Sequence, residues 1–207
     1  MNFYERHVLP TLLDLAMRQS QLDDYRRKVA GQAYGRVLEI GVGSGLNFTR
    51  YGKQVNAVIG LDPSPRLLSM ARKRAKEAGV SAWLVQGTAV TLPFADKVMD
   101  SVVMTWTLCS VPDPLAALKE IRRVLKQQGK LLFVEHGLAP HHQVERWQRR
   151  LTPLWRCVSG GCHLDRKVDD LIQAAGFELE DLHLQYVQGP RIFTYFYQGC
   201  ARPTPVG

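Results

Sequence analysis

The sequence predicts a single α/β domain on a seven-stranded, mostly parallel sheet that ends in an antiparallel C-terminal hairpin and carries helices on both faces. Three observations lead there. Short apolar runs alternate with helical patterns between residues 36 and 135, the first run stops at a cluster of glycines, and the last two runs are joined by a turn-rich link. A chain of 207 residues is long enough for one well-buried core and too short for two full-sized domains. At 45% hydrophobic and 22% charged residues, its composition is that of an ordinary globular protein, which excludes disordered and fibrous classes.

Taken in order, residues 1–34 form a helical cap. Tyr4, Val8, Leu12, Leu15 and Ala16 follow helical spacing, Pro10 marks a break or helix start, and two helices are expected. Residues 36–40 are a compact apolar run stopped by glycine, a buried first strand. Strands are then expected at 55–61, 82–86, 99–105 and 130–135, with helices at 64–78 and 113–125. Residues 137–164 interrupt this rhythm and read as a helical lid, followed by a last helix over 165–175. Runs at 182–187 and 192–198, separated by Gln188-Gly189-Pro190-Arg191, form the hairpin. Residues 201–207, with two prolines, are expected to be a loose tail.

A formal charge of +8 raises the question of an anionic partner. The basic clusters at 72–76, 122–126 and 146–150 all fall on predicted helices and read as solvated faces, with peripheral membrane contact left open. DNA is not an expected partner. RNA is disfavoured, because the chain has neither an Asn/Asp-Pro-Pro-Tyr motif nor an appended RNA-binding module. Four cysteines without paired spacing give no disulfide framework and no metal site. The charged N-terminus and the lack of a long apolar run point to the cytoplasm.

The strongest local signal is Glu39-Ile40-Gly41-Val42-Gly43-Ser44-Gly45-Leu46-Asn47, an acidic strand residue followed by glycines at every second position. Glycine is required where a ligand approaches the backbone closely and where the turn adopts conformations a β-carbon forbids. A dinucleotide fingerprint needs glycine at position 46, where the chain has leucine, and no Gly-Lys-Ser/Thr follows to make a phosphate loop. Asp62, followed by Pro63, closes the second strand 17 residues after Gly45, near the interval at which α/β nucleotide sites place a carboxylate on ribose hydroxyls. It is equally placed to cap the next helix. Gly87, Thr88 and Ala89 precede a strand that begins near Asp100 and ends at Thr105 and Trp106.

This ordered set, over roughly residues 35 to 136, resembles the class I S-adenosylmethionine-dependent methyltransferases of the type 11 branch, which have a Rossmann-like fold. The resemblance implies S-adenosylmethionine as cofactor, held by Glu39, Gly41, Val42, Gly43, Gly45, Asn47, Asp62, Pro63, Gly87, Thr88, Ala89, Thr105 and Trp106. Thr88 stands where the branch commonly has an aspartate, so contact with the adenine amino group loses its charge assistance. A closer likeness, carried by Thr107-Leu108-Cys109-Ser110-Val111, Val134-Glu135-His136, the Trp155 region and Gly161-Cys162-His163-Leu164-Asp165-Arg166, is to the alkyl thiol methyltransferases. It implies a small-molecule thiol as methyl acceptor.

Methyl transfer from a sulfonium is an in-line displacement, dominated by positioning and desolvation. A base can add to this, because a free thiol is mostly protonated at neutral pH and its thiolate is the better nucleophile. His136, just past the fifth strand, is the candidate base, and Glu135 the residue to orient it. Tyr4, Trp106, Cys109, His136 and Trp155 are the expected acceptor-pocket residues. Quinone-type C-methylation, phospholipid N-methylation and cofactor binding without turnover are the competing functions.

Overall fold

The computed structural model describes residues 4–205. A π-helical turn, Tyr4–Val8, leads into α1 (Leu9–Met17) and α2 (Ser20–Ala30), the two helices expected of the cap. The sheet is built from β1 (Gly35–Ile40), β2 (Val55–Asp62), β3 (Ala82–Gln86), β4 (Met99–Thr105), β5 (Leu125–His136), β6 (Phe177–Tyr186) and β7 (Tyr195–Pro203). Helices α3 (Pro65–Glu77), α4 (Pro114–Val124), α5 (His142–Val158) and α6 (Val168–Ala174) complete the domain, and a 3₁₀ turn at Phe48–Arg50 is the only helical element between β1 and β2 among the described residues.

The strand order is β3-β2-β1-β4-β5-β7-β6, parallel from β3 to β5 and antiparallel through β7 and β6. The order reverses beside β1, so the carboxyl ends of β1 and β4 border a crevice where open α/β sheets bind ligands. Alternation along each strand divides the core. Leu38, Ile40, Ile59, Leu61, Leu131 and Phe133 face α4 and α6, while Val37, Val103, Leu132 and Val134 face α2, and Val58 packs with Leu68 and Ala71 of α3. Pro at the first turn and a capping side chain set the starts of two helices: Ser64 accepts from Leu67 N at 3.3 Å, and Asp113 from Ala116 N at 3.0 Å.

The C-terminal part corrects the sequence reading in four places. β5 begins at Leu125 because the end of α4 turns directly into strand, where Leu125 pairs with Met99 across a register shift. The last helix starts at Val168 and not at 165, since the Arg166 carbonyl is committed to Leu138 N at 2.8 Å. The hairpin strands are longer and lie earlier and later than expected, at 177–186 and 195–203. The tail is not loose from 201: Ala201 is fully buried in β7, and Thr204 N donates to Gly176 O at 2.9 Å. An apolar alternation too weak to stand out as a strand is held there by pairing with β6.

The segment 137–164 is pinned to the body. Buried Gln148 of α5 accepts from Ala139 N and donates to the carbonyls of Gly137 and Ile192, at 2.9, 3.0 and 3.0 Å. Among the described residues no helix is long and apolar enough to cross a membrane.

Candidate functional site

The glycine loop after β1 is shaped by backbone requirements. Gly41, Gly43 and Gly45 all have positive φ, at +65°, +54° and +80°. A β-carbon on Gly41 would run into the Thr107 side chain, and one on Gly45 into the Phe48 ring. The loop therefore lies tight against the β4 turn and α3.

Asp62, at the end of β2, accepts from Gly43 N at 3.0 Å with one carboxylate oxygen and from Ser64 N at 2.8 Å with the other. It clamps the glycine loop to β2 and does not cap α3, a role Ser64 takes. Burial raises its pKa against the lowering effect of the two amides. Each oxygen accepts one bond and retains a lone pair, and Asp62 lines the cavity.

Glu39 is 1% exposed in the middle of the site. Tyr51 donates to Oε2 at 2.6 Å and Asn47 Nδ2 to Oε1 at 2.9 Å, yet burial outweighs these bonds and the Arg26 charge and pushes the carboxyl up from 4.5 to about 7. Asn47 Oδ1 is buried without a partner, an acceptor awaiting a donor. The folded state thus holds a proton on Glu39 that the unfolded chain releases above about pH 4.5. The corresponding stability is present in full below that value and is lost as pH rises through about 7. Glu39→Gln, which cannot ionise, is expected to flatten the fall in apo-protein Tm between about pH 5 and 7.5. Parallel curves for the two proteins would mean that Glu39 is ionised throughout.

The turn after β4 closes on this loop. Trp106 adopts a left-handed backbone, φ +52°, unusual for a bulky residue and a source of strain at the end of β4. That bend brings the amides of Thr107, Leu108 and Cys109 to the fully buried Glu135, at 2.8, 2.9 and 3.3 Å. Burial raises Glu135 to about 7 despite these three bonds. The Glu135 carboxylate is thus occupied by backbone amides and does not orient His136.

The cap completes the cavity with two charged residues that sequence reasoning missed. Arg26, 4% exposed, lies over the Trp106 ring at 4.6 Å and donates to Met17 O at 2.9 Å. Its burial lowers its pKa to about 10. Buried Asp14 accepts from Ser44 at 2.5 Å and meets Arg74 of α3 at 3.3 Å, tying the cap to the glycine loop. Burial opposes its charge, but the bonds from Ser44 and Arg18 and the charge of Arg74 hold its pKa below the ordinary value. Neither residue carries a local signal, because on an amphipathic helix each reads as a solvated charge.

Together these elements enclose a cavity of about 560 Å³, within the span of roughly 300–1,000 Å³ usual for small-molecule sites. Glu39, Gly41, Val42, Gly43, Asn47, Asp62, Pro63, Thr88, Ala89, Thr105 and Trp106 line it, whereas Gly45 and Gly87 stand behind the wall. Leu9, Leu13, Met17, Val111 and Pro112 give one end an apolar lining. Of the expected acceptor-pocket residues only Trp106 is in the lining. Tyr4 donates to Val158 O at 2.9 Å, where the N-terminal turn meets α5. Trp155 packs on Phe193 with ring centres 4.6 Å apart, and Cys109 and His136 are buried outside the lining. His136 Nδ1 lies 3.7 Å from Cys162 Sγ, and its Nε2 is buried without a partner.

A methyltransferase-domain family matches residues 38–133, the span from β1 to β5. Thiol S-methyltransferase TMT1B of Rattus norvegicus is 37% identical over 155 residues, covering 72% of this chain and 62% of the relative. Thiol S-methyltransferase TMT1A of Homo sapiens is 31% identical over 186 residues, covering 85% and 73%. The chain belongs to the class I S-adenosylmethionine-dependent methyltransferases. It spans less than two thirds of the length of the rat relative. Among solved structures, the methyltransferase CalH in complex with S-adenosylhomocysteine superposes with a TM-score of 0.64 at 25% identity, covering 95% of this chain and 59% of CalH.

S-adenosylmethionine is the cofactor of this family, and the cavity suits it. The side-chain-free turn at Gly43 leaves room against the backbone, Asp62 offers free lone pairs to a diol, and the buried Asn47 acceptor lacks a partner.

Proposed function

We propose that this methyltransferase acts on the thiol of a small, largely apolar molecule. The observation that supports this best is the continuity of the cavity: a polar cradle around Glu39 and Asp62 opens into the apolar end between α1 and the Ser110–Pro112 turn. The thiol S-methyltransferase relatives supply the acceptor class.

In this reading Asp62 holds the ribose hydroxyls, Thr88 and Ala89 border the adenine, and Glu39, Gly41 and Asn47 face the amino acid end of the cofactor. Arg26, a buried cation beside that end, pairs with its carboxylate. Bound S-adenosylmethionine supplies an electrophilic methyl group on a sulfonium. Trp106 and the apolar wall orient the acceptor and exclude water, so that catalysis rests on alignment.

Among the described residues that line the cavity there is no His, Cys or Lys, and its carboxylates are already committed to the cradle. The acceptor therefore enters as a thiolate formed in solution. His136, outside the lining, takes no proton from it. The expected result is that kcat/KM rises with pH and levels off near the acceptor thiol's own pKa, about 8.5 for a simple thiol, and that the profile moves with the acceptor. His136→Ala should leave the position of that profile unchanged. A profile that stays fixed whatever the acceptor, and is abolished in the variant, would instead make His136 the base.

The assignment of the acceptor is tested with methyl-labelled S-adenosylmethionine and a panel of small thiols, a quinol precursor and phosphatidylethanolamine. Labelled thioether is expected. Label in the quinol or the lipid would overturn the thiol reading, and binding with no transfer to any acceptor would favour a non-catalytic protein.

A further inference from the structure

Behind the cavity wall lies a cluster of groups that the proposed methyl transfer does not use. Cys109, in the turn after β4, and Cys162, in the loop between α5 and α6, are both free thiols and face one another. The backbones that carry them are joined directly, His163 N donating to Cys109 O at 2.8 Å. Gly160 and Gly161, at φ +69° and +87°, bend the loop inward to bring Cys162 there.

The surroundings make the two thiols unlike. The contact with Cys109 and the charge of Arg166 favour the Cys162 thiolate and lower its pKa despite burial. The same contact, with full burial, pushes Cys109 well above the ordinary thiol range. His136 Nδ1 lies 3.7 Å from the Cys162 sulfur, and Cys162 is partly open to solvent whereas Cys109 is closed off. This is the layout of an attacking thiol with a resolving thiol behind it.

We propose that Cys109 and Cys162 form a redox modification site that reduces a low-molecular-weight disulfide and is itself closed to an internal disulfide. The Cys162 thiolate attacks one sulfur of the small disulfide, forming a mixed disulfide and expelling one small thiolate, which takes up the proton that Cys162 has lost. The Cys109 sulfur then attacks the Cys162 sulfur and expels the second small thiol, which leaves with the Cys109 proton. Two protein thiols and one disulfide thus become one protein disulfide and two small thiols.

The bond would staple two walls of the cavity. Ser110 and Val111 follow Cys109, Ser159 and Gly160 precede Cys162, and all four line the cavity. Cys157, exposed on α5, and Cys200, buried in β7 beside Glu180, are internal controls outside the cluster.

The test uses the full chain, reduced and desalted, then treated with oxidised glutathione, acid-quenched, alkylated and mapped by peptide mass spectrometry. The expected product is a linked peptide joining Cys109 to Cys162, reversed by dithiothreitol. Cys109→Ser should stop the reaction at one glutathionyl adduct on Cys162. The proposal is overturned if Cys157 takes the adduct while Cys109 and Cys162 both remain alkylatable, or if the Cys162 adduct in the wild-type chain never passes to Cys109. The wild-type map decides alone should the variant fold poorly. Neither outcome depends on which molecule accepts the methyl group.

Discussion

Replacing Asp62 with alanine is expected to weaken S-adenosylmethionine binding by about 100-fold or more. Hydrogen bonds to a charged group contribute roughly 1.5–3 kcal/mol each, and two of them to a vicinal diol amount to at least two decades in affinity. The substitution also frees Gly43 N and Ser64 N, which Asp62 holds at 3.0 and 2.8 Å, so the glycine loop loses its clamp as well as its ligand contact. Asp62→Asn separates the two effects. Its carbonyl oxygen can keep the Ser64 amide, but its NH₂ faces the Gly43 N–H, so the clamp is half retained while the charge is gone. Titration calorimetry with S-adenosylhomocysteine, read beside the apo-protein Tm, measures both. An affinity within threefold of wild type for the alanine variant would exclude Asp62 from the ligand's contacts.

Removing Glu135 is expected to cost the fold more than any other single change in the site. Its carboxylate accepts from three buried amides, and each left without a partner costs roughly 1–3 kcal/mol, so Glu135→Ala should destabilise the protein by about 3–9 kcal/mol. At about 2–4 °C per kcal/mol for a domain of this size, the loss in Tm is on the order of 10 °C. Glu135→Gln is the informative partner. Thr107 N and Leu108 N share one oxygen, which glutamine keeps, and only the weaker bond from Cys109 N at 3.3 Å is lost. Thermal unfolding should therefore rank wild type, glutamine and alanine in that order. An alanine variant as stable as wild type would show that water or a neighbouring group can satisfy the turn.

The two variants also bear on catalysis. Because Glu135 holds the turn that follows Trp106, its loss loosens one side of the cavity, and kcat should fall with stability. Glutamine, which preserves most of the turn, should preserve most of the turnover. A residue acting as proton donor or acceptor would not be rescued this way.

Much of this was open to reading in the chain. The glycine loop at 41–45 could be placed because its constraints are local: positive φ and close packing restrict the residue type whatever the rest of the molecule does. Strands β1, β2 and β4 could be placed because parallel strands buried on both faces must be apolar runs, and theirs are bounded by glycine, proline or charge. β6 and β7 were drawn too short because the edge strand β6 alternates weakly, and their ends at Phe177 and Pro203 are held by pairing with each other. Glu135 was located in sequence, but its partners were not, since nothing local predicts that the strained bend at Trp106 turns three amides back onto it.

The sequence by itself determined the layered α/β architecture and the place of the glycine loop, because these depend on periodicity and on residues whose backbone demands are their own. Only the tertiary structure decided which charges are buried. Asp14 and Arg26 enter the cavity because the cap folds across the crevice, and Cys109 meets Cys162 because a loop 53 residues downstream is hydrogen-bonded to its carbonyl. Such contacts join elements far apart in the chain, and no short stretch of sequence carries the information that they will meet.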